Sequence, residues 1–285
     1  MSKVIANTLN IVQPVRNIGF TALFLAITLL NSFDNFAQKE LKIKTVVIDA
    51  GHGGKAPGTT GKYTKEKDIT LKVALKVGKL IEENVPGVKV LYTRKTDVFI
   101  GLAERAKVAT DNHADVFISI HANSLPEDTP YDRKQSIFGT ETYVMGLHKN
   151  EENFEVAKRE NSVILLEDNY QEKYQGFDPN SPESYILFSL NQSASQEGSL
   201  LLASKIENEF GKRAGRRSRG VKQAGFQVLW MTTMPSVLVE IGYLSNVKEE
   251  RELNDPKVQD YIASAVYRAF KEYKNEVESL KLGAD

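Results

Sequence analysis

The sequence contains no cysteine among its 285 residues. That excludes disulfides, thiolate metal ligands and a lipoprotein anchor on an acylated cysteine, so any metal has to sit on His, Asp or Glu. A net charge is missing too: 37 Lys and Arg balance 37 Asp and Glu, which argues against nucleic acid as a partner. Long apolar runs are also scarce. The stretch at residues 18–30 has 13 residues, short of the roughly 20 needed to span a bilayer. Lys3 and Arg16 precede it, and Asn35-Phe36-Ala37-Gln38 follows with a small residue at a plausible cleavage point. The pattern predicts a signal peptide over residues 1–37 and an exported chain over residues 38–285, with no stable membrane anchor after cleavage. An uncleaved anchor or a buried core helix is the blander alternative.

What is present alternates between strand and helix patterns. Residues 43–50 form a β-branched run that ends in Gly51-His52-Gly53-Gly54, a turn signature. Ile69, Val73, Val77 and Leu80 then repeat at helical spacing. Further strands are predicted over residues 88–93, 115–120, 140–145 and 237–241, and helices over 101–110 and 256–277. This order implies a single α/β domain with a mostly parallel twisted sheet and helices on both faces. Residues 148–197 interrupt it. They are polar, rich in Glu, Asn and Ser, and contain Asp178-Pro179-Asn180-Ser181-Pro182, a loop signature. Residues 153–167 and 192–210 on either side read as helical. An insertion of this length between core elements is usually functional or mobile.

The chain has four histidines. His52 and His121 each end a buried strand pattern, where open α/β sheets build their sites. His113 and His148 lack that setting and read as surface residues. Glu66 opens the helix after the His52 turn and can reach the same crevice. Two His and one Glu match the ligand set of catalytic zinc hydrolases, which leave one position for water, and zinc lowers the pKa of such a water to about 7. Glu240 interrupts an apolar strand and is the candidate proton carrier. Each residue also has a structural reading. A lone strand-end His is often structural, Glu66 suits a helix N-terminus, and Glu240 could pair with Arg94 or Arg105. The glycines at 51, 53, 54, 58 and 61 fit neither a dinucleotide fingerprint nor a phosphate loop.

With these residues in view, the sequence resembles the amidase_3 family of N-acetylmuramoyl-L-alanine amidases. The segments are VVIDAGHGG (46–54), GTTG (58–61), EKDITL (66–71), YTR (92–94), ISIHANS (118–124), GTETYVMG (139–146) and PSVLVEIGYLSN (235–246). The resemblance implies about six strands, zinc held by His52, Glu66 and His121, and Glu240 as catalytic acid/base. It also implies a peptidoglycan substrate cut at the lactyl–L-alanine amide, in the periplasm or elsewhere in the cell envelope, during wall remodelling or daughter-cell separation. Glu141, Arg105 and Asn123 match further family positions as substrate-binding or supporting residues; structurally, Arg105 would be a salt-bridge partner and Asn123 a turn former. In relatives that act at division, a helical segment covers the zinc cleft until a protein activator removes it. The insertion at 148–197 is expected to do the same, with Glu160 or Glu167 filling the open zinc position. A monomer is expected. Another zinc peptidase and a non-catalytic peptidoglycan-binding regulator are the alternatives.

Overall fold

The computed structural model describes residues 42–189 and 195–279. The signal-peptide expectation for residues 1–37 lies outside them, as does part of the helix predicted from residue 192. Six strands form one sheet: β1 (Thr45–Ala50), β2 (Lys89–Tyr92), β3 (Val116–Asn123), β4 (Thr140–Met145), β5 (Ser218–Ala224) and β6 (Ser236–Tyr243), in the order β2-β1-β3-β6-β4-β5. All neighbours are parallel except β4 and β6. The mostly parallel α/β sheet therefore stands as expected. β5 is the addition: its sequence SRGVKQA is polar and only partly buried, as an edge strand tolerates.

The central strands β1, β3 and β6 are buried on both faces, which explains why they read as continuous apolar runs rather than alternating ones. Val46 and Ile48 point to one core layer with Val73, Val77 and Phe270; Val47 points to the other with Phe117, Ala109 and Phe226. Helices α1 (Glu66–Asn84), α7 (Gln196–Lys212) and α10 (Pro256–Ser279) close the first layer. Helix α2 (Leu102–Asp111) and the insertion close the second.

The insertion folds as short pieces: α4 (Glu151–Asn161), a 3-10 turn (Ser162–Leu166), α5 (Tyr170–Lys173) and α6 (Pro182–Ser189). Helix α3 (Tyr131–Ser136) precedes it; α8 (Gln227–Trp230) and α9 (Val247–Asn254) follow later in the chain. Asn150 caps α4 by accepting from Asn153 N at 2.9 Å. Phe154 stacks edge-on to Tyr185 at 5.0 Å, and Tyr185 meets Phe177 at 5.1 Å. Burial of such rings stabilises by roughly 1.5–3 kcal/mol each, and they share one buried cluster with Phe117, Tyr143 and Leu238 of the sheet, so the insertion is packed onto the domain rather than trailing from it. His148 is a correction to the surface reading: it is half-buried, its ring 4.9 Å from Phe154. His113 is exposed, as expected.

Candidate metal centre

The crossover from β1 to α1 positions the first two side chains. His52 follows β1 after Gly51 and adopts a left-handed conformation, φ 60°, continued by Gly53 and Gly54 at positive φ. A non-glycine residue held there costs on the order of 1 kcal/mol or more and persists only when its surroundings fix it. Arg105 does much of the fixing. It donates to Ala50 O at 2.6 Å, to His52 O at 2.5 Å and to Asp49 Oδ1 at 2.7 Å. Arg94 holds Ala50 O and Gly51 O at 2.9 and 2.8 Å. Both arginines are therefore occupied by the β1 exit, and neither pairs with Glu240.

Asp49 was not singled out from the sequence, yet it anchors this arrangement. Burial alone would raise its pKa, but Arg105, Ser119 and Thr93 outweigh that and hold its carboxyl below the usual range. The Arg105–Asp49 pair is 1% exposed on both sides, which supports the salt-bridge reading of Arg105. Removing one member of a buried ion pair strands the other. Arg105→Ala is expected to lower unfolding stability by about 3–5 kcal/mol, measured by urea titration. A drop in activity at unchanged stability would instead point to a direct substrate contact.

Glu66 begins α1 and is fully buried. Its Oε2 accepts from Thr59 N at 2.8 Å and its Oε1 from Ala122 N at 3.0 Å. Gly58 makes this possible: at φ 69°, a Cβ there would lie 2.5 Å from Glu66 Oε2 and 2.6 Å from His52 Cδ2. His121 sits near the end of β3 with its ring against Gly51, where a Cβ would meet it at 2.5 Å.

The three groups converge, and a fourth joins them. His52 Nε2 lies 3.1 Å from Glu66 Oε2 and 3.0 Å from Glu160 Oε2. His121 Nδ1 lies 3.0 Å from Glu66 Oε1 and 2.9 Å from Glu160 Oε2. One donor atom from each of His52, Glu66, His121 and Glu160 falls within 4.8 Å of the others, and all four residues are buried. Glu167 does not join. Its Oε1 accepts from Tyr174 OH at 2.6 Å and Leu102 N at 3.3 Å, so it caps α2 instead.

Charge and bonding both suit a divalent cation. Burial favours the neutral imidazoles, but the carboxylates outweigh it and raise the pKa of both His52 and His121. Burial likewise opposes ionisation of Glu66 and Glu160, yet the histidines bring Glu66 down to about 2 and hold Glu160 well below its ordinary value. Two imidazoliums and two carboxylates sum to zero charge. A dication with two neutral imidazoles and two carboxylates gives the same sum, with the ligands deprotonated as metal binding requires. His52 Nε2 and Glu160 Oε2 also lack a hydrogen-bond partner despite their burial. Buried polar atoms without partners are rare, and here they point at one another across the space an ion would fill.

Glu240 stands beside this cluster. In the sheet register it lies opposite His121 on one side and Glu141 on the other. It is fully buried and neither carboxyl oxygen has a hydrogen-bond partner. Burial first, then the charges of Glu160 and Glu66, push its pKa well up, against the pull of His121 and Arg159. Its nearest cation is Arg159, at 3.8 Å. Arg159 also donates to Asn123 Oδ1 and Ser124 O, each at 2.9 Å. Asn123 in turn donates to Glu141 at 3.1 Å. Helix α4 thus lies across the centre and is held there by Arg159 and Glu160. Hollows of about 470 and 630 Å³ open beside it, both lined by Glu155, Arg159 and Ser124.

Sequence reasoning missed Asp49, Arg159 and the basic pair on β5. Asp49 carried a signal, a carboxylate inside an apolar run. Arg159 and β5 carried none, because their meaning depends on contacts distant in the chain.

The chain matches the model of the Amidase_3 family, N-acetylmuramoyl-L-alanine amidase, over residues 46–272. It is 33% identical over 232 residues to N-acetylmuramoyl-L-alanine amidase AmiC of Escherichia coli, covering 80% of this chain and 52% of that protein. The chain thus spans about half the length of that relative. Among solved structures, it is similar to the catalytic domain of CwlV, an N-acetylmuramoyl-L-alanine amidase from Bacillus (Paenibacillus) polymyxa. The TM-score is 0.59 at 32% identity, covering 81% of this chain and 98% of that one. It is also similar to the CwlD amidase of Clostridioides difficile, solved in complex with the GerS lipoprotein, with TM-score 0.58, 26% identity, and coverage of 82% and 99%.

Proposed function

This chain belongs to the Amidase_3 family of N-acetylmuramoyl-L-alanine amidases, and from that premise we propose that it is a zinc-dependent hydrolase of the lactyl–L-alanine amide in peptidoglycan, held inactive by its own helix α4. The observation that carries the reading is the convergence of His52, Glu66, His121 and Glu160 within 4.8 Å. His52, Glu66 and His121 would hold the ion, with donors of the type zinc takes. Zinc bound there supplies Lewis-acid polarisation of the scissile carbonyl.

The chain's own residues do the rest. Glu240 takes a proton from the attacking water and delivers it to the nitrogen of the departing L-alanine as the C–N bond breaks. Its dry setting suits that role, since burial raises its pKa and so makes it a better proton acceptor. Glu160 takes the position that a catalytic zinc site leaves open. Arg159 lies between Glu240 and the substrate hollows. In this state water and amide cannot both reach the centre, so α4 has to leave before turnover.

Removal of α4 calls for a partner, and a protein activator is the proposed one, used during wall remodelling or cell separation. Export by residues 1–37 to the periplasm or another envelope compartment belongs to the same reading, because peptidoglycan lies outside the plasma membrane. Among the described residues, no helix is long and apolar enough to cross a membrane.

The test is digestion of intact sacculi by the purified chain, with and without chelator. Release of free L-alanine amino termini is expected, lost on chelation and restored by zinc. Cleavage within the peptide would identify a different peptidase, and full activity in a metal-stripped chain would remove zinc from the account.

A further inference from the structure

Four adjacent strands carry one row of side chains away from the metal centre. His121 on β3 is opposite Glu240 on β6, and Glu240 is opposite Glu141 on β4. The β4–β5 register shifts between Thr140 and Thr142, and this irregularity brings two cations from β5 onto Glu141. Arg219 Nε and Lys222 Nζ each donate to Glu141 Oε1 at 2.6 Å. Tyr243 OH, Tyr143 OH and Asn123 Nδ2 donate to the same carboxylate at 2.7, 2.8 and 3.1 Å.

A carboxylate offers about four acceptor sites, so five donors saturate Glu141. Its single charge leaves the two cations only partly neutralised. Arg219 spends only its Nε on Glu141, and Lys222 spends one of its ammonium hydrogens. Both side chains are partly exposed, at 18% and 17%, and both line the hollow of about 470 Å³ beside α4, with Arg133 nearby. The facing wall is the start of α4. Glu151, Glu152 and Glu155 line the same hollow, and Glu152 is paired to Arg133 at 3.2 Å. An acidic helix turn and a basic pair thus line the same hollow beside the centre.

We infer that Arg219 and Lys222 form a subsite for a free carboxylate on the stem peptide beyond L-alanine, and that the acidic first turn of α4 stands in for that carboxylate while the helix is seated. This rests on the amidase reading of the site. With that subsite, the substrate runs with its peptide toward β5 and its muramic acid away from it. Glu141 serves as the positioning residue that holds both cations on the cleft wall. Charge-assisted bonds from a fixed Arg and Lys are the strong kind and discriminate an acid from its amide.

The experiment uses the full chain carrying Glu160→Ala and two muramyl peptides, in which the residue after L-alanine bears either a free α-carboxylate or its amide. The acid is expected to be turned over with kcat/KM roughly 10- to 100-fold above the amide, the usual worth of a hydrogen bond to a charged group. Arg219→Gln is expected to erase the preference by lowering the acid alone, and Arg219→Lys to keep part of it. Equal kcat/KM on both substrates would overturn the subsite. So would an Arg219→Gln variant that loses both activities in equal proportion, which marks Arg219 as a structural prop for Glu141. Calorimetric binding of the two peptides separates this idea from the one beneath it. A chain that binds the acid more tightly than the amide but hydrolyses neither would sink the amidase reading and leave the subsite standing.

Discussion

Glu240→Gln is expected to lower kcat on sacculi by about 10²- to 10⁴-fold, the usual contribution of a positioned acid/base, while the fold and the metal content stay intact. The variant changes one buried oxygen for nitrogen in a side chain with no hydrogen-bond partner to lose. It also removes a group whose ionised form is disfavoured by burial and by the carboxylates of Glu160 and Glu66. A buried acid without a hydrogen-bond partner costs stability, so the melting temperature should hold or rise. The useful measurement is therefore kcat beside thermal melting and bound metal on the same preparation. Inactivity with a lost fold would mean Glu240 is structural. Full activity would mean that another group carries the proton.

Glu160→Ala is expected to act in the opposite direction. In the seated state Glu160 Oε2 contacts both histidines at 3.0 and 2.9 Å. Ion-pair contacts of this kind contribute about as much as hydrogen bonds to charged groups, about 1.5–3 kcal/mol. Loss of that much from the closed form raises the open population roughly 10- to 100-fold while it remains the minor one. Basal hydrolysis by the isolated chain should rise by the same order, without added partner. The aromatic packing of Phe154, Tyr185 and Phe177 remains in the variant, so the helix should stay folded and only its hold on the centre should weaken. A folded Glu160→Ala chain with unchanged basal activity would remove the self-inhibition from the proposal and leave α4 as a fixed wall of the cleft.

The readable parts of the sequence were those whose physics is local. Strands β1, β3 and β6 announced themselves because burial on both faces demands unbroken apolar runs. Glu240 stood out for the same reason, as a charge where none is tolerated without purpose. His52, Glu66 and His121 were legible as strand-end and helix-start residues. Glu160 and Glu167 were not separable by pattern. Seven residues on an ideal helix return to nearly the same face, so both remained candidates. The helix ends at Asn161 and a 3-10 turn runs through Leu166, which winds the chain more tightly and carries Glu167 away to Leu102 and Tyr174. Strand β5 was invisible because an edge strand with polar residues has no period to detect. Its importance lies in which carboxylate it touches, a fact stored in the register of β4 rather than in its own letters.

One consequence follows from Glu160 sharing its contacts with both histidines. A side chain that completes the ion's coordination ties two equilibria together, and such coupling is reciprocal. Under the proposed function, whatever prises α4 loose would give up one of the ion's four anchors, so an activated enzyme would retain its zinc less firmly than a dormant one. Conversely, a zinc-starved envelope would harbour chains whose helix lifts more readily but which have nothing to catalyse with. On the proposed reading the latch and the cofactor would guard each other, and release of the wall-cutting activity would coincide with the moment at which it is easiest to disarm.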